Sequence, residues 1–84
     1  MITSAIIEID THGMTQDRAV REIDAQIAKA GSWAYRIRVI HGFNRGIAIQ
    51  QAIYREFGHG LCEKVLRITG GSNPGITELV LREY

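Results

Sequence analysis

The chain has 84 residues, 45% of them hydrophobic and 23% charged, with a formal net charge of +1. This length fits one domain, with no low-complexity tract. No run approaches the roughly 18 apolar residues that span a membrane, and we find no signal peptide before the first predicted strand. Cys62 is the only cysteine, so an internal disulfide is excluded and we expect a reducing, cytoplasmic compartment. The His and Cys residues lack the spacing of a structural zinc site.

The basic residues are more informative than the net charge. A charge of +1 by itself gives weak support for nucleic-acid binding. Eight of the ten basic residues are arginines, at positions 18, 21, 36, 38, 45, 55, 67 and 82. Arginine has a planar guanidinium that suits phosphate, so these residues are candidates for phosphate binding. The alternative for any single arginine is that it is solvated or paired with one of the nine carboxylates.

The first half of the chain predicts a strand and a helix. Residues 5–10 alternate as in a strand, with Ile7 and Ile9 on one face and Glu8 and Asp10 on the other. A helix then begins at the N-cap Thr15 and ends at Gly31. Its buried stripe consists of Val20, Ile23, Ile27 and Ala30.

The second half predicts a strand, a helix and two further strands. The second strand covers residues 35–40, and a loop at 41–46 leads into the second helix. The buried stripe of that helix is Ile49, Ala52, Ile53 and Phe57, and the segment 58–60 ends it. The third strand is predicted at 63–69 and the last at 76–82, with the glycine-rich loop 70–75 between them.

The order β-α-β-α-β-β predicts an α/β fold, more specifically an α+β two-layer sandwich. Right-handed crossovers place both helices on one face of a four-stranded mixed sheet. The other face is then open, with five charged outward positions at Glu8, Asp10, Arg36, Arg38 and Arg67. We expect Arg36 and Arg38 to bind phosphate there, and the alternative is that Glu8 pairs with one of them across strands.

The clearest functional pattern is a pair of strands that each end in His-Gly, at residues 12–13 and 41–42. In a parallel pair the two ends meet at one edge, where α/β sheets usually bind ligands. Asp10, His12 and His41 are therefore predicted to converge as catalytic groups. Histidine can transfer a proton near neutral pH, and aspartate can orient a histidine or hold a divalent metal. The alternative is that each His-Gly is only a turn.

The loop after His41 predicts a phosphate-binding segment. Arg45 and Gly46 precede the second helix, whose N-terminus offers free N–H groups to an anion. Gly13, Gly42 and Gly46 allow a close approach to the backbone. The alternative for Arg45 is a solvated loop charge.

Other candidates are interpreted as structural. We expect His59 to be a structural residue between two glycines, and Trp33 and Tyr35 to cap the core. The loop 70–75 is either a flap or a plain hairpin connection.

These motifs resemble those of the Smr (small MutS-related) domain. Residues 9–13, Ile-Asp-Thr-His-Gly, are similar to the family motif Leu-Asp-Leu-His-Gly. Residues 41–46, His-Gly-Phe-Asn-Arg-Gly, are similar to His-Gly-Lys-Gly-Thr-Gly. The resemblance covers nearly the whole chain, because the glycine-rich loop and the last apolar strand also have counterparts in the family.

The resemblance implies a fold like the C-terminal domain of translation initiation factor three. Family members are nicking endonucleases on DNA or RNA, or nucleic-acid-binding modules, in repair or recombination proteins and in RNA processing. Metal dependence varies among them, so Mg²⁺ or Mn²⁺ is an implied cofactor, with Asp10 as its ligand. Asp10 and His12 match the first motif, whereas His41, Gly42 and Gly46 match the second.

The chain departs from the family pattern mainly in its second motif. Phe43 replaces a basic residue and Asn44 replaces a glycine, while Arg45 restores a positive charge nearby. Phe43 either stacks on a base or packs against the sheet, and asparagine tolerates the left-handed turn.

From the two motifs and the resemblance, we expect a monomeric nicking endonuclease on DNA or structured RNA. The alternatives are a non-catalytic nucleic-acid-binding module and an interaction domain of a larger protein.

Overall fold

Four strands and two helices follow one another in the order expected from the sequence. The computed structural model describes residues 6–31, 33–42, 46–58 and 60–82. The elements are β1 (Ile6–Asp10), α1 (Gln16–Lys29), β2 (Arg36–Ile40), α2 (Ile47–Phe57), β3 (Arg67–Gly70) and β4 (Ile76–Val80). The predicted α+β architecture is therefore confirmed.

The four strands form one mixed sheet in the order β1-β2-β4-β3. β1 and β2 are parallel, and β4 is antiparallel to both β2 and β3. The only parallel pair in the described sheet is thus the pair whose ends carry the two His-Gly motifs.

Both helices cover the same face of the sheet. Helix α1 begins after Thr15, whose Oγ1 accepts a 3.2 Å hydrogen bond from the N–H of Arg18, and it buries Ala19, Ile23 and Ile27. Helix α2 buries the four predicted residues Ile49, Ala52, Ile53 and Phe57. Most of these side chains share one core cluster with Ile9, Ile37, Val39 and Leu79 of the sheet. Burying one such aliphatic side chain contributes about 1.5–3 kcal/mol, so this core dominates stability.

The third strand begins four residues later than the sequence predicts. Residues 63–66 contain a turn in which the N–H of Val65 donates to the carbonyl of Cys62 at 3.1 Å. Val65 is buried in the core whereas Leu66 is 57% exposed. Alternating burial does not by itself distinguish this turn from a strand, which explains the wrong boundary.

The last strand ends two residues early, at Val80. Beyond it, the N–H groups of Leu81 and Arg82 both donate to the carbonyl of Tyr35, at 2.7 and 3.2 Å. Within the described residues, neither helix has the length and apolarity that a membrane span requires.

Candidate functional site

The ends of β1 and β2 lie side by side, as the twin motifs predict. Asp10 and Ile40 are register partners in the parallel pair. The N–H of Thr11 donates to the carbonyl of Ile40 at 3.0 Å, and the Thr11 hydroxyl donates to the same carbonyl at 3.2 Å. The two segments that follow the strands therefore leave the sheet at one edge, which we call the motif edge (residues 10–13, 41–42 and 46).

Asp10 and His12 form a small exposed unit at the end of β1. Oδ1 of Asp10 accepts a hydrogen bond of 2.9 Å from the N–H of His12. The N–H of Met14 donates to the carbonyl of Thr11 at 2.9 Å, and Gly13 has φ +80°, so the chain turns tightly here. Because both side chains are exposed, the His12 imidazole is accessible to a ligand beside a carboxylate.

His41 is in a different situation, because it is only 7% exposed and both ring nitrogens have partners. Nδ1 lies 2.9 Å from the carbonyl oxygen of Gly42, and Nε2 lies 2.7 Å from Oγ1 of Thr77. A carbonyl can only accept, so Nδ1 carries the hydrogen. In the neutral ring Nε2 then accepts from the Thr77 hydroxyl. Nε2 can take a proton from a ligand only after losing that bond.

The three predicted catalytic side chains do not lie together on one side of the sheet. Alternation along β1 leaves Asp10 exposed with Glu8 on the open face, whereas Ile9 is buried on the helix side. Along β2, His41 continues the parity of the buried residues Ile37 and Val39, so it lies on the helix side. The structure thus brings Asp10 and His12 together and places His41 on the other face.

The turn after His41 is held by close backbone contacts. Gly42 has φ +83°, and the N–H groups of His41 and Gly42 both donate to the carbonyl of Gly75, at 2.9 and 3.0 Å. A Cβ on Gly46 would overlap the carbonyl oxygens of His41 and Gly42. Only glycine fits at position 46 without a shift of the backbone. Phe43, Asn44 and Arg45 lie outside the described residues.

Helix α2 begins at this turn with Gly46 as its N-cap and without a side-chain cap. The first N–H groups of any helix lack intrahelical partners, and the helix dipole is positive at this end. The close contact of Gly46 with the His41 and Gly42 carbonyls places the start of α2 at the motif edge.

The described side chains do not form a metal site of their own. Among residues 6–31, 33–42, 46–58 and 60–82, no group of three or more His, Cys, Asp or Glu side chains is placed to hold an ion. Mg²⁺ usually binds through one or two carboxylates together with water and phosphate oxygens. Asp10 as a ligand of Mg²⁺ or Mn²⁺ therefore stays a prediction from the sequence.

Arg36 and Arg38, the predicted phosphate ligands on the open face, are tied to carboxylates. Glu78, which is 5% exposed, accepts hydrogen bonds from Arg36 at 2.5 Å and Arg38 at 2.8 Å. Arg38 also reaches Glu8 at 3.1 Å, which confirms the alternative that Glu8 pairs across strands. Burial works against ionisation of Glu78, but its hydrogen bonds with Arg38 and Arg36 outweigh that effect and keep its pKa below the ordinary value.

The two arginines differ in their distance from the motif edge. Arg36 stands four residues before Ile40 on β2, which at the rise of a strand is about 13 Å, whereas Arg38 stands only two residues before it, about 7 Å. The contacts of both side chains are with carboxylates, and their binding of phosphate stays a prediction.

Sequence reasoning missed Thr77 and Glu78, the two polar residues of β4 that are buried. Thr77 shares one side of the predicted strand with Leu79, and a hydroxyl in an apolar row signals that a buried partner is needed. Glu78 is the register partner of Arg38, a signal that requires the strand pairing to be known.

The residues that we interpreted as structural differ in their burial and contacts. Tyr35 is half-buried, with the Arg36 guanidinium 5.6 Å from its ring centre, whereas Trp33 remains 45% exposed. The loop 70–75 is the plain hairpin connection between β3 and β4, closed by a 2.9 Å hydrogen bond from the Gly71 N–H to the Ile76 carbonyl. His59 lies outside the described residues.

The crystal structure of the Smr domain of MutS2 from Thermus thermophilus is similar to this structure. It matches with a TM-score of 0.77 and 26% sequence identity, over 92% of this chain and 99% of that chain. No protein-family model matches the sequence, and no curated protein matches it. Together with the two motifs at one sheet edge, this similarity supports the assignment of the chain as an Smr-like domain.

Proposed function

We propose that this Smr-like domain binds DNA or structured RNA at the motif edge and nicks one strand there. The observation that carries the proposal is the exposed pair of Asp10 and His12, at an edge where a helix also begins. An imidazole and a carboxylate beside an anion-binding helix end supply the groups that phosphodiester hydrolysis needs.

The phosphate would be held by backbone rather than by a charged pocket. The first N–H groups of α2 present donors and a positive dipole end. Gly13 and Gly42 leave the neighbouring backbone accessible, because a Cβ at either position would meet nothing within 4 Å, whereas Gly46 is buried against the His41 and Gly42 carbonyls. Binding by Phe43, Asn44 and Arg45 stays a prediction from the sequence.

His12 is the group we assign to proton transfer. It would accept the proton of the attacking water, or of a ribose hydroxyl, as the new O–P bond forms. The leaving oxygen takes a proton from water or from the protonated His12 as the old P–O bond breaks. The helix end stabilises the charge that develops on the non-bridging oxygens of the phosphate. The hydrogen bond from its own N–H to Asp10 holds His12 in place for this role.

His41 receives a different role from the one predicted from the sequence alone. Its burial and its two bonded nitrogens support a role in holding the turn rather than in proton transfer. We assign no step to a metal ion, and Asp10 as a metal ligand stays a prediction from the sequence.

The test is a nicking assay on supercoiled plasmid and on a structured RNA, with and without Mg²⁺ or Mn²⁺. Wild-type protein is compared with His12→Asn, Asp10→Asn and His41→Asn. We expect the first two variants to lose activity by about a hundredfold, the usual contribution of a general acid or base. His41→Asn keeps a donor for the Gly42 carbonyl and should retain part of the activity. Equal cleavage by all four proteins would mean a contaminating nuclease.

A non-catalytic nucleic-acid-binding module is the second candidate. It is favoured by the engagement of both ring nitrogens of His41, which removes one of the three predicted catalytic groups. It predicts binding that weakens with salt, without turnover under any metal condition. If wild-type and His12→Asn proteins bind equally well and neither cleaves the substrate, the domain is a non-catalytic binding module.

A further inference from the structure

We infer that Thr77 is a positioning residue that acts through His41 on the start of α2. Its hydroxyl fixes the His41 ring, and the ring holds the carbonyl of Gly42, which lies against the N-cap of α2. This inference rests on the proposed function, because it concerns the binding of nucleic acid and its cleavage at the same edge.

The hydroxyl of Thr77 is not needed for packing. The residue is fully buried on β4, in register with Val39 on one side and Gly70 on the other. Its neighbour on the same face, Leu79, is a core residue. Valine has nearly the same shape, so a threonine here requires a hydrogen-bond partner, and Nε2 of His41 at 2.7 Å is that partner.

The His41 ring connects this hydroxyl to the backbone of the turn. Nδ1 donates to the Gly42 carbonyl at 2.9 Å, so the ring spans from β4 to the residue that follows β2. The acceptor at Gly42 requires the hydrogen on Nδ1, and the Thr77 hydroxyl satisfies the lone pair on Nε2. The Gly42 carbonyl thereby selects the tautomer, and the Thr77 hydroxyl fixes the orientation of the ring by bonding its other nitrogen.

The backbone of His41 and Gly42 then sets the position of α2. The carbonyl oxygens of His41 and Gly42 leave no room for a side chain on Gly46, the N-cap of the helix. A shift of the Gly42 carbonyl is therefore passed directly to the first N–H groups of α2. Misplacing a binding group by about 1 Å can lower an enzymatic rate a hundredfold, so this contact is relevant to activity.

The experiment compares Thr77→Val, which removes only the hydroxyl, with Thr77→Ser, which keeps it. The ¹⁵N NMR signals of the His41 ring report the tautomer, denaturant unfolding reports folding, and plasmid nicking and binding report function. In wild-type protein we expect hydrogen on Nδ1 and a hydrogen-bonded, unprotonated Nε2. Thr77→Ser should keep that signature. Thr77→Val should lose the Nε2 hydrogen bond, and affinity and nicking should fall about tenfold with the pH profile unchanged, because His12 is intact.

Three outcomes would overturn the inference. One is a Thr77→Val protein that binds and nicks like wild type, and another is a wild-type His41 ring with its hydrogen on Nε2. If Thr77→Val fails to fold, Thr77→Ser and Thr77→Ala form a second pair that differs only in the hydroxyl. Equal activity of these two proteins is the third outcome that would overturn the inference. A wild-type domain that neither binds nor nicks contradicts the proposed function itself, and is thus distinguished from a failure of Thr77 alone.

Discussion

The carboxylate of Asp10 accepts a hydrogen bond of 2.9 Å from the backbone N–H of His12, two residues further along the chain. One side chain therefore holds the backbone of the turn, in which Asp10 and His12 are both exposed. Structural and chemical roles of Asp10 overlap, and two substitutions separate them.

Asp10→Ala should destabilise the domain by about 1 kcal/mol, because the His12 N–H loses a hydrogen bond to a charged acceptor in an exposed turn. Asp10→Asn keeps an oxygen at the same place and should be close to wild type in stability. Urea unfolding of the three proteins measures the difference. Both variants should lose nicking activity, since both lack the carboxylate charge.

Equal stability of Asp10→Ala and wild type would show that the turn does not depend on this bond. Glu63→Ala is a suitable control, because Glu63 is an exposed carboxylate in the turn before β3, away from the motif edge and from the N-terminus of either helix.

Gly46→Ala should be strongly destabilising, by about 1–3 kcal/mol, the usual range for a side chain forced into occupied space. Its Cβ would overlap the carbonyl oxygens of His41 and Gly42. Nucleic-acid binding should weaken as well, because α2 must move away from the turn. Thermal unfolding and a binding titration measure the two effects.

Gly70→Ala is the matched control for this substitution. A Cβ at Gly70 would meet nothing within 4 Å, and Gly70 lies in strand β3. We expect it to be neutral or slightly stabilising. A Gly46→Ala protein as stable as the Gly70→Ala protein would contradict the close contact at the start of α2.

The two helices and the order of the elements along the chain were predictable, because the sequence patterns that indicate them are local. The stripes of α1 and α2 follow the helical period, and Thr15 caps α1 as expected. The start of β3 was not predictable, because Val65 is buried from within a turn, and only the contact with the core distinguishes it from a strand residue.

The candidate site was predictable in its location but not in its arrangement. Parallel strands with similar ends indicate that Asp10, His12 and His41 share an edge. Whether His41 turns toward the ligand or toward the core depends on Thr77, which lies 36 residues away in sequence. No local pattern encodes that hydrogen bond, so the sequence predicts three equivalent catalytic residues where the structure has an exposed pair and a buried histidine.

Acid should destabilise the domain partly through Glu78. Its pKa in the folded protein lies below the ordinary value of 4.5, because hydrogen bonds with Arg38 and Arg36 overcome the effect of burial. Its ionised form therefore stabilises the fold fully above that ordinary value, and the contribution is lost as the pH falls through the lower, folded pKa. Urea unfolding at pH 7 and at a series of pH values below 4.5 measures the loss.

Glu78→Gln isolates this contribution. We expect it to be less stable than wild type at pH 7 by about 1 kcal/mol, since the two arginines are half-exposed and water replaces part of the interaction. Its stability should also fall less steeply in acid. Parallel pH curves for the two proteins would show that Glu78 does not carry the effect.

The same substitution tests whether Arg36 and Arg38 bind phosphate. Glu78 engages both guanidiniums, at 2.5 and 2.8 Å, and Glu78→Gln removes this shared carboxylate charge while raising the formal net charge from +1 by one unit. We expect tighter nucleic-acid binding and a steeper dependence of log Kd on log salt, by about one unit for each additional phosphate that the domain binds. Fluorescence anisotropy at several salt concentrations measures both quantities. Glu56→Gln is the control, because it makes the same charge change at an exposed pair with Arg55 on α2. An equal improvement in both variants would mean that net charge alone acts and that the open face of the sheet does not bind phosphate.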